Sequence, residues 1–132
     1  SFTNGTGANQ ANEAFVDTRT LAASATEDLD LAGGLTDSYG TTLTFTKIKA
    51  IIIKAAATNT NNVQVTRPAS NGLVAFMAAS DGIALTPGAC FALIAPDANG
   101  IAVTAGTGDL LTITNSAGTT GVTYDIVIVG TV

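Results

Sequence analysis

Acidic side chains form the densest group in the sequence that could do chemistry, with Glu27, Asp28 and Asp30 close together. A pair of carboxylates can act as acid and base, or acid and nucleophile, in glycoside hydrolysis. Enzymes of that kind usually hold sugars on Trp and Tyr platforms, and here Trp is absent and aromatics make up 5%. The cluster therefore reads as the solvated edge of a strand. Ser38, Ser80 and Ser116 lie outside any G-x-S-x-G elbow, and the chain contains no histidine, which excludes a Ser–His–Asp mechanism. Cys90 sits in Ala89-Cys90-Phe91-Ala92-Leu93-Ile94 with no basic neighbour in sequence to favour a thiolate, and is expected as a small buried core residue. As the one cysteine it also excludes an intrachain disulfide framework. Asp97-Ala98-Asn99-Gly100 opens like a calcium loop but lacks the later acceptors and the closing Glu, so it reads as a turn. Gly106-Thr107-Gly108-Asp109 has neither a P-loop Lys nor Rossmann spacing and reads as a hairpin turn. Asn4-Gly5-Thr6 matches a glycosylation acceptor, a pattern short enough to arise by chance. No catalytic, cofactor-binding or metal residues are assigned, no cofactor is expected, and the chain is expected not to be an enzyme.

With no catalytic constellation, composition must point to the role. The chain has 132 residues, which suits one domain with its own core. Charged residues are 11%, against a usual quarter, while hydrophobic residues reach 46% and mean hydropathy is +0.40. That is too apolar for a disordered chain and sparsely charged for a free monomer. A net charge of −5 argues against a nucleic-acid surface, which needs clustered Lys and Arg; only Lys47, Lys49 and Lys54 come close together. The apolar runs fall short of the ~20 residues that span a bilayer, so no membrane partner is expected, and the beginning does not read as a signal peptide.

The elements that would position these residues are strands. Segments rich in β-branched residues, separated by turn signals, suggest a sandwich or barrel, with strands near 15–22, 27–31, 43–56, 62–67, 73–78, 90–95, 101–104, 109–115 and 122–129. Gly33-Gly34, Asn71-Gly72, Asp81-Gly82, Pro87-Gly88, Asn99-Gly100 and Gly106-Thr107-Gly108 supply turn positions. Residues 1–13 are small and polar, with Phe2 the one large apolar side chain, and read as an arm that is mobile or ordered on a neighbour. Residues 14–132 form the single domain.

Two strands carry a functional hint. In Tyr124-Asp125-Ile126-Val127-Ile128-Val129 residues of both parities are apolar, so both faces call for cover. In Lys47-Ile48-Lys49-Ala50-Ile51-Ile52-Ile53-Lys54 the lysines alternate at first, and then Ile51 and Ile53 fall in register with them. Either a bulge shifts the phase, or the lysine end of that face meets solvent while the isoleucine end is covered. Antiparallel sandwiches normally leave one face of each sheet wet. Two-sided apolar strands suggest covering loops or a neighbouring subunit.

Three stretches share a pattern with a known group: Leu29-Asp30-Leu31 with Gly34-Leu35-Thr36-Asp37-Ser38-Tyr39-Gly40 and Leu43-Thr44-Phe45; Ala95-Pro96-Asp97 through Thr104-Ala105-Gly106-Thr107-Gly108-Asp109-Leu110-Leu111; and Tyr124-Asp125-Ile126-Val127-Ile128-Val129-Gly130. From Asp30 onward the chain resembles the small β-sandwich or jelly-roll head-decoration, or cement, proteins of tailed bacteriophages. The resemblance implies an all-β, antiparallel, jelly-roll-like sandwich; the extended N-terminal arm, read from composition, lies outside the match. It also implies a virion protein on the outer surface of the capsid, made in the host cytoplasm, that binds assembled major capsid protein and forms a homo-oligomer, dimer or trimer. No site residues are carried over, because cement proteins act through surfaces. The alternative is a receptor- or carbohydrate-binding β-domain of a phage fibre or other surface appendage, which would need an exposed aromatic platform drawn from Phe2, Phe15, Tyr39, Phe45, Phe76, Phe91 and Tyr124.

Overall fold

The structure, a computed structural model, describes residues 1–75 and 77–132. Among the described residues it is all-β, without helices. In chain order the strands are β1 (Thr3–Asn4), β2 (Gln10–Ala11), β3 (Glu13–Leu21), β4 (Thr26–Asp30), β5 (Ala32–Thr36), β6 (Thr42–Thr44), β7 (Lys47–Ala55), β8 (Val63–Thr66), β9 (Gly82–Leu85), β10 (Cys90–Ile94), β11 (Ile101–Ala102), β12 (Leu110–Asn115) and β13 (Val122–Thr131).

Two antiparallel sheets pack face to face. The larger runs β10-β7-β13-β3, with β11 also pairing with β7, and the smaller runs β4-β12-β8-β9. Strand alternation sends Phe15 and Leu21, Ile51 and Ile53, and Val122, Tyr124, Ile126 and Ile128 inward from the larger sheet. Leu29, Val63, Val65, Leu111 and Ile113 meet them from the smaller one. The β5–β6 hairpin adds Leu35 and Leu43 to this core.

The two-sided strand β7 resolves as a bulge. Val129 pairs with Ala50 and Gly130 with Ile48, so Lys49 is the extra residue, and the inward phase passes from Ile48 to Ile51 and Ile53. Gly130 is needed there, since a Cβ would meet the Lys47 carbonyl and come within 2.9 Å of the Phe45 ring.

Several expectations are corrected. The stretch 43–56 is two strands, broken where the Phe45 N–H bonds to Leu31 (3.0 Å) and the Thr46 N–H to Thr131 (2.8 Å), which carries the chain from the β5–β6 hairpin into the larger sheet. Gly33-Gly34 lies within β5, whose register is irregular between Ala32 and Leu35. Gly82 starts β9, hidden in the sequence behind its Asp-Gly turn signal. The expected strand at 73–78 is not formed by its described residues, and Phe76 lies outside them.

Residues 1–13 are folded back rather than extended. β1 and β2 pair in parallel, the Asn9 N–H donates to Pro96 (2.7 Å) and the Asn12 N–H to Gly130 (3.1 Å). The fully buried Lys49 donates to the carbonyls of Gly7 and Asp97, tying this segment to the 95–100 loop. Main-chain bonds hold what side-chain burial alone would not.

Candidate functional site

The registers place outward-facing side chains in rows across the larger sheet. One row is Val16, Val127, Ile52 and Ala92; the next is Ala14, Val129, Ala50 and Ile94. All eight are apolar, and Ala50 among them is already buried. Val16 is 65% exposed and Ile94 53%. A third row, Thr18, Asp125, Lys54 and Cys90, is polar, with the Thr18 hydroxyl donating to Asp125 (2.7 Å). Apolar residues of both parities on β13 thus reflect a second apolar face, half of this sheet's exterior.

The smaller sheet is the contrast. Its outward rows are Thr26, Thr114, Gln64 and Ala84, then Asp28, Thr112, Thr66 and Gly82. These are hydroxyl and carboxylate rows, joined by bonds such as Thr112 to Asp28 (2.5 Å) and Thr26 with Thr114 (3.0 Å). Among the described residues, only one exterior of the sandwich carries a contiguous apolar patch. Patches of that kind mark interaction surfaces more often than isolated apolar residues do. At the end of the apolar rows, Phe2, Ala11, Ala14 and Val129 help line a shallow hollow of about 350 Å³ under the folded-back segment.

The carboxylates read from sequence separate into different roles. β4 is an edge strand, and Asp28 is solvated on its outer face. Asp30 accepts from the Ala32 N–H (2.9 Å) and shapes the turn into β5. Glu27 shares the inward parity of Leu29 and is drawn between the sheets, contrary to a wholly solvated cluster. Arg19 donates to it from Nε (3.0 Å) and from its terminal nitrogen (2.6 Å), and the hydroxyl of the fully buried Tyr124 donates at 2.6 Å. Burial opposes ionisation of Glu27, but the bonds from Arg19 and Tyr124 outweigh it and hold the carboxyl below its ordinary range. Burial, then the bond to Glu27, pushes the Tyr124 phenol up. The bond to Glu27 likewise raises Arg19, which also pairs with Asp17 (2.9 Å). Sequence reasoning missed this trio because Tyr124 lies 97 positions from Glu27.

Cys90 is exposed, correcting the expectation of a core residue. Phe91 and Leu93 take the inward positions of β10, so period 2 turns Cys90 outward beside Lys54. Ser38, Ser80 and Ser116 are exposed, and the Ser116 hydroxyl accepts from the Asn62 N–H (2.9 Å). Asp97 accepts from the Asn99 and Gly100 N–H groups (2.7 and 3.0 Å), which hold its carboxyl below the ordinary range, and Asp109 accepts from Gly106 (2.5 Å). Both are turn residues. Asn4 lies exposed in β1. Lys47 and Lys49 both bond carbonyls of the 97–98 segment and Lys54 is exposed, so the three make no common basic surface. Among the described residues, no three metal-ligating side chains converge. Comparison with family models, curated proteins and solved structures returned no match.

Proposed function

We propose that the protein is a structural component of a phage head that binds assembled major capsid protein through the outer face of its larger sheet and reinforces the shell. The observation that carries this reading is the pair of apolar rows on that face, set against the polar exterior of the smaller sheet. The phage-head resemblance names the partner. Low overall charge suits a surface that spends its working life covered. The reading includes a jelly-roll-like route through the sheets, a homo-oligomer, a position on the outside of the virion, and no catalytic step.

Stabilisation needs no special chemistry. A ligand that binds only the assembled state stabilises it by mass action. If each copy spans neighbouring capsomers, weak contacts act together through effective concentration. The fibre alternative requires several exposed rings. Among the described aromatics only Tyr39, 95% exposed, stands fully in solvent, while Phe15, Phe45 and Tyr124 are buried. The test is to strip the protein from heads, add it back, and follow occupancy and disruption temperature. Saturation at fixed stoichiometry with a raised disruption temperature supports the reading; heads equally robust without the protein refute it.

A further inference from the structure

We propose that the open edge of β3 is a docking site for a second copy of this chain, the two strands pairing antiparallel about a twofold axis through Thr18. The proposal rests on the homo-oligomer part of the function above and is independent of the shell.

β3 is a nine-residue strand hydrogen-bonded to a neighbour on one side only, by β13. In an antiparallel ladder both backbone groups of a residue point the same way, and successive residues alternate. The Ala56 N–H donates to the Thr123 carbonyl (3.0 Å), so Thr123 turns toward β7 and Tyr124 toward β3. Arg19, opposite Tyr124, therefore turns toward β13, as do Asp17 and Phe15. Ala14, Val16, Thr18 and Thr20 are left facing the open edge. The Ala14 N–H is already taken by the Glu13 carboxylate (2.8 Å). The backbone groups of Val16, Thr18 and Thr20 bond no other segment among the described residues.

The other open edges suit pairing less. β4 carries Glu27, Asp28 and Asp30 within five residues, β10 has five residues and β9 four. β3 contains no Pro, and its pairing with β13 runs without a register shift. Inward charges such as Asp17 and Arg19 ordinarily blunt an edge. Here they select one register. Centred on Thr18, the pairing sets Val16 against the partner's Thr20 and Asp17 against the partner's Arg19, with about six backbone hydrogen bonds from outward-facing groups. Shifting the centre by one residue opposes Asp17 to Asp17 or Arg19 to Arg19, and like charges directly opposite are destabilising. A cleft of about 260 Å³ opens on this side between β3 and residues 34–38. The twofold axis stands perpendicular to the sheet, so the apolar rows of both copies look the same way and form one bivalent surface.

The experiment uses the full chain. Sedimentation velocity is expected to give twice the chain mass of 13.1 kDa, and Thr18→Pro, which removes an outward N–H from each copy, to weaken the dimer by roughly thirtyfold. In a Cys90→Ser background, Thr18→Cys is expected to cross-link with itself on oxidation, because paired Cα atoms lie about 5.5 Å apart. Thr20→Cys is not, since its copies sit roughly 14 Å apart along the ladder. The cross-linking pair keeps the test valid if Thr18→Pro does not fold. A protein monomeric at all concentrations, or cross-linking equal at both positions, overturns the proposal. So does a monomer whose shell binding is lost with Thr18→Pro, which would give the edge to a strand from the shell protein. Shell binding measured on the same variants separates failure of this interface from failure of the shell reading.

Discussion

Replacing Tyr124 with Phe removes one hydroxyl from a side chain with no exposed surface. The lost bond is 2.6 Å long and ends on an ionised carboxylate, and bonds of that kind are worth about 1.5–3 kcal/mol. Glu27 keeps Arg19, and its side chain retains 21% exposure, so water replaces part of the bond and the lower figure applies. A loss of about 1.5 kcal/mol lowers Tm by roughly 6 °C in a chain this size. The dependence on pH gives a sharper test. Glu27 has its folded value depressed, so its contribution is present above the unfolded value of about 4.3 and is lost as pH falls through the folded value. Tyr124 has its folded value raised, so its contribution is present below about pH 10 and is lost as pH rises beyond that. Urea unfolding of wild type and Tyr124→Phe across pH therefore separates the curves most between those limits and brings them together in acid. A variant as stable as wild type near neutrality, or a gap that persists undiminished in strong acid, would refute the coupling.

Lys49→Met should cost about 1–3 kcal/mol and free the first residues, because the carbonyls of Gly7 and Asp97 lose their shared donor; hydrogen exchange at Gly5, Asn9 and Asn12, whose N–H groups are bonded in the folded chain, should accelerate. Gly130→Ala should destabilise by about 1–3 kcal/mol through overpacking against Phe45 and the Lys47 carbonyl, measured by thermal unfolding. Asn115→Ala should cost about 3 kcal/mol, since the buried Asn115 amide donates to Ala22 and Thr120 and its oxygen accepts from Asn61; denaturant unfolding checks it.

The all-β class was legible because β-branched runs with period-2 burial and turn residues act locally. On β13 the pattern even showed that both faces are apolar, and on β7 it contained the phase change that Lys49 produces as a bulge. Where the chain failed as a guide, non-local geometry decided. Glu27 meets Tyr124 across 97 positions, so nothing near Glu27 in the sequence distinguishes it from the solvated Asp28. Cys90 lies in a strand apolar on both parities, and such a strand does not say which parity is inward. The polar first residues gave no sign of order because main-chain bonds and one buried lysine hold them. The apolar rows became visible only once the registers set Val16, Val127, Ile52 and Ala92 side by side.

The most direct test of the interaction face places charge on it away from the β3 edge. Ala92→Lys and Ile94→Lys stand on exposed outward positions of β10, and Thr26→Lys on the exterior of the smaller sheet serves as the control. Occupancy on stripped heads is titrated with each folded variant. The account predicts that the β10 variants lose binding and leave heads as fragile as bare ones, while Thr26→Lys binds as wild type; undiminished binding by the β10 variants would contradict it.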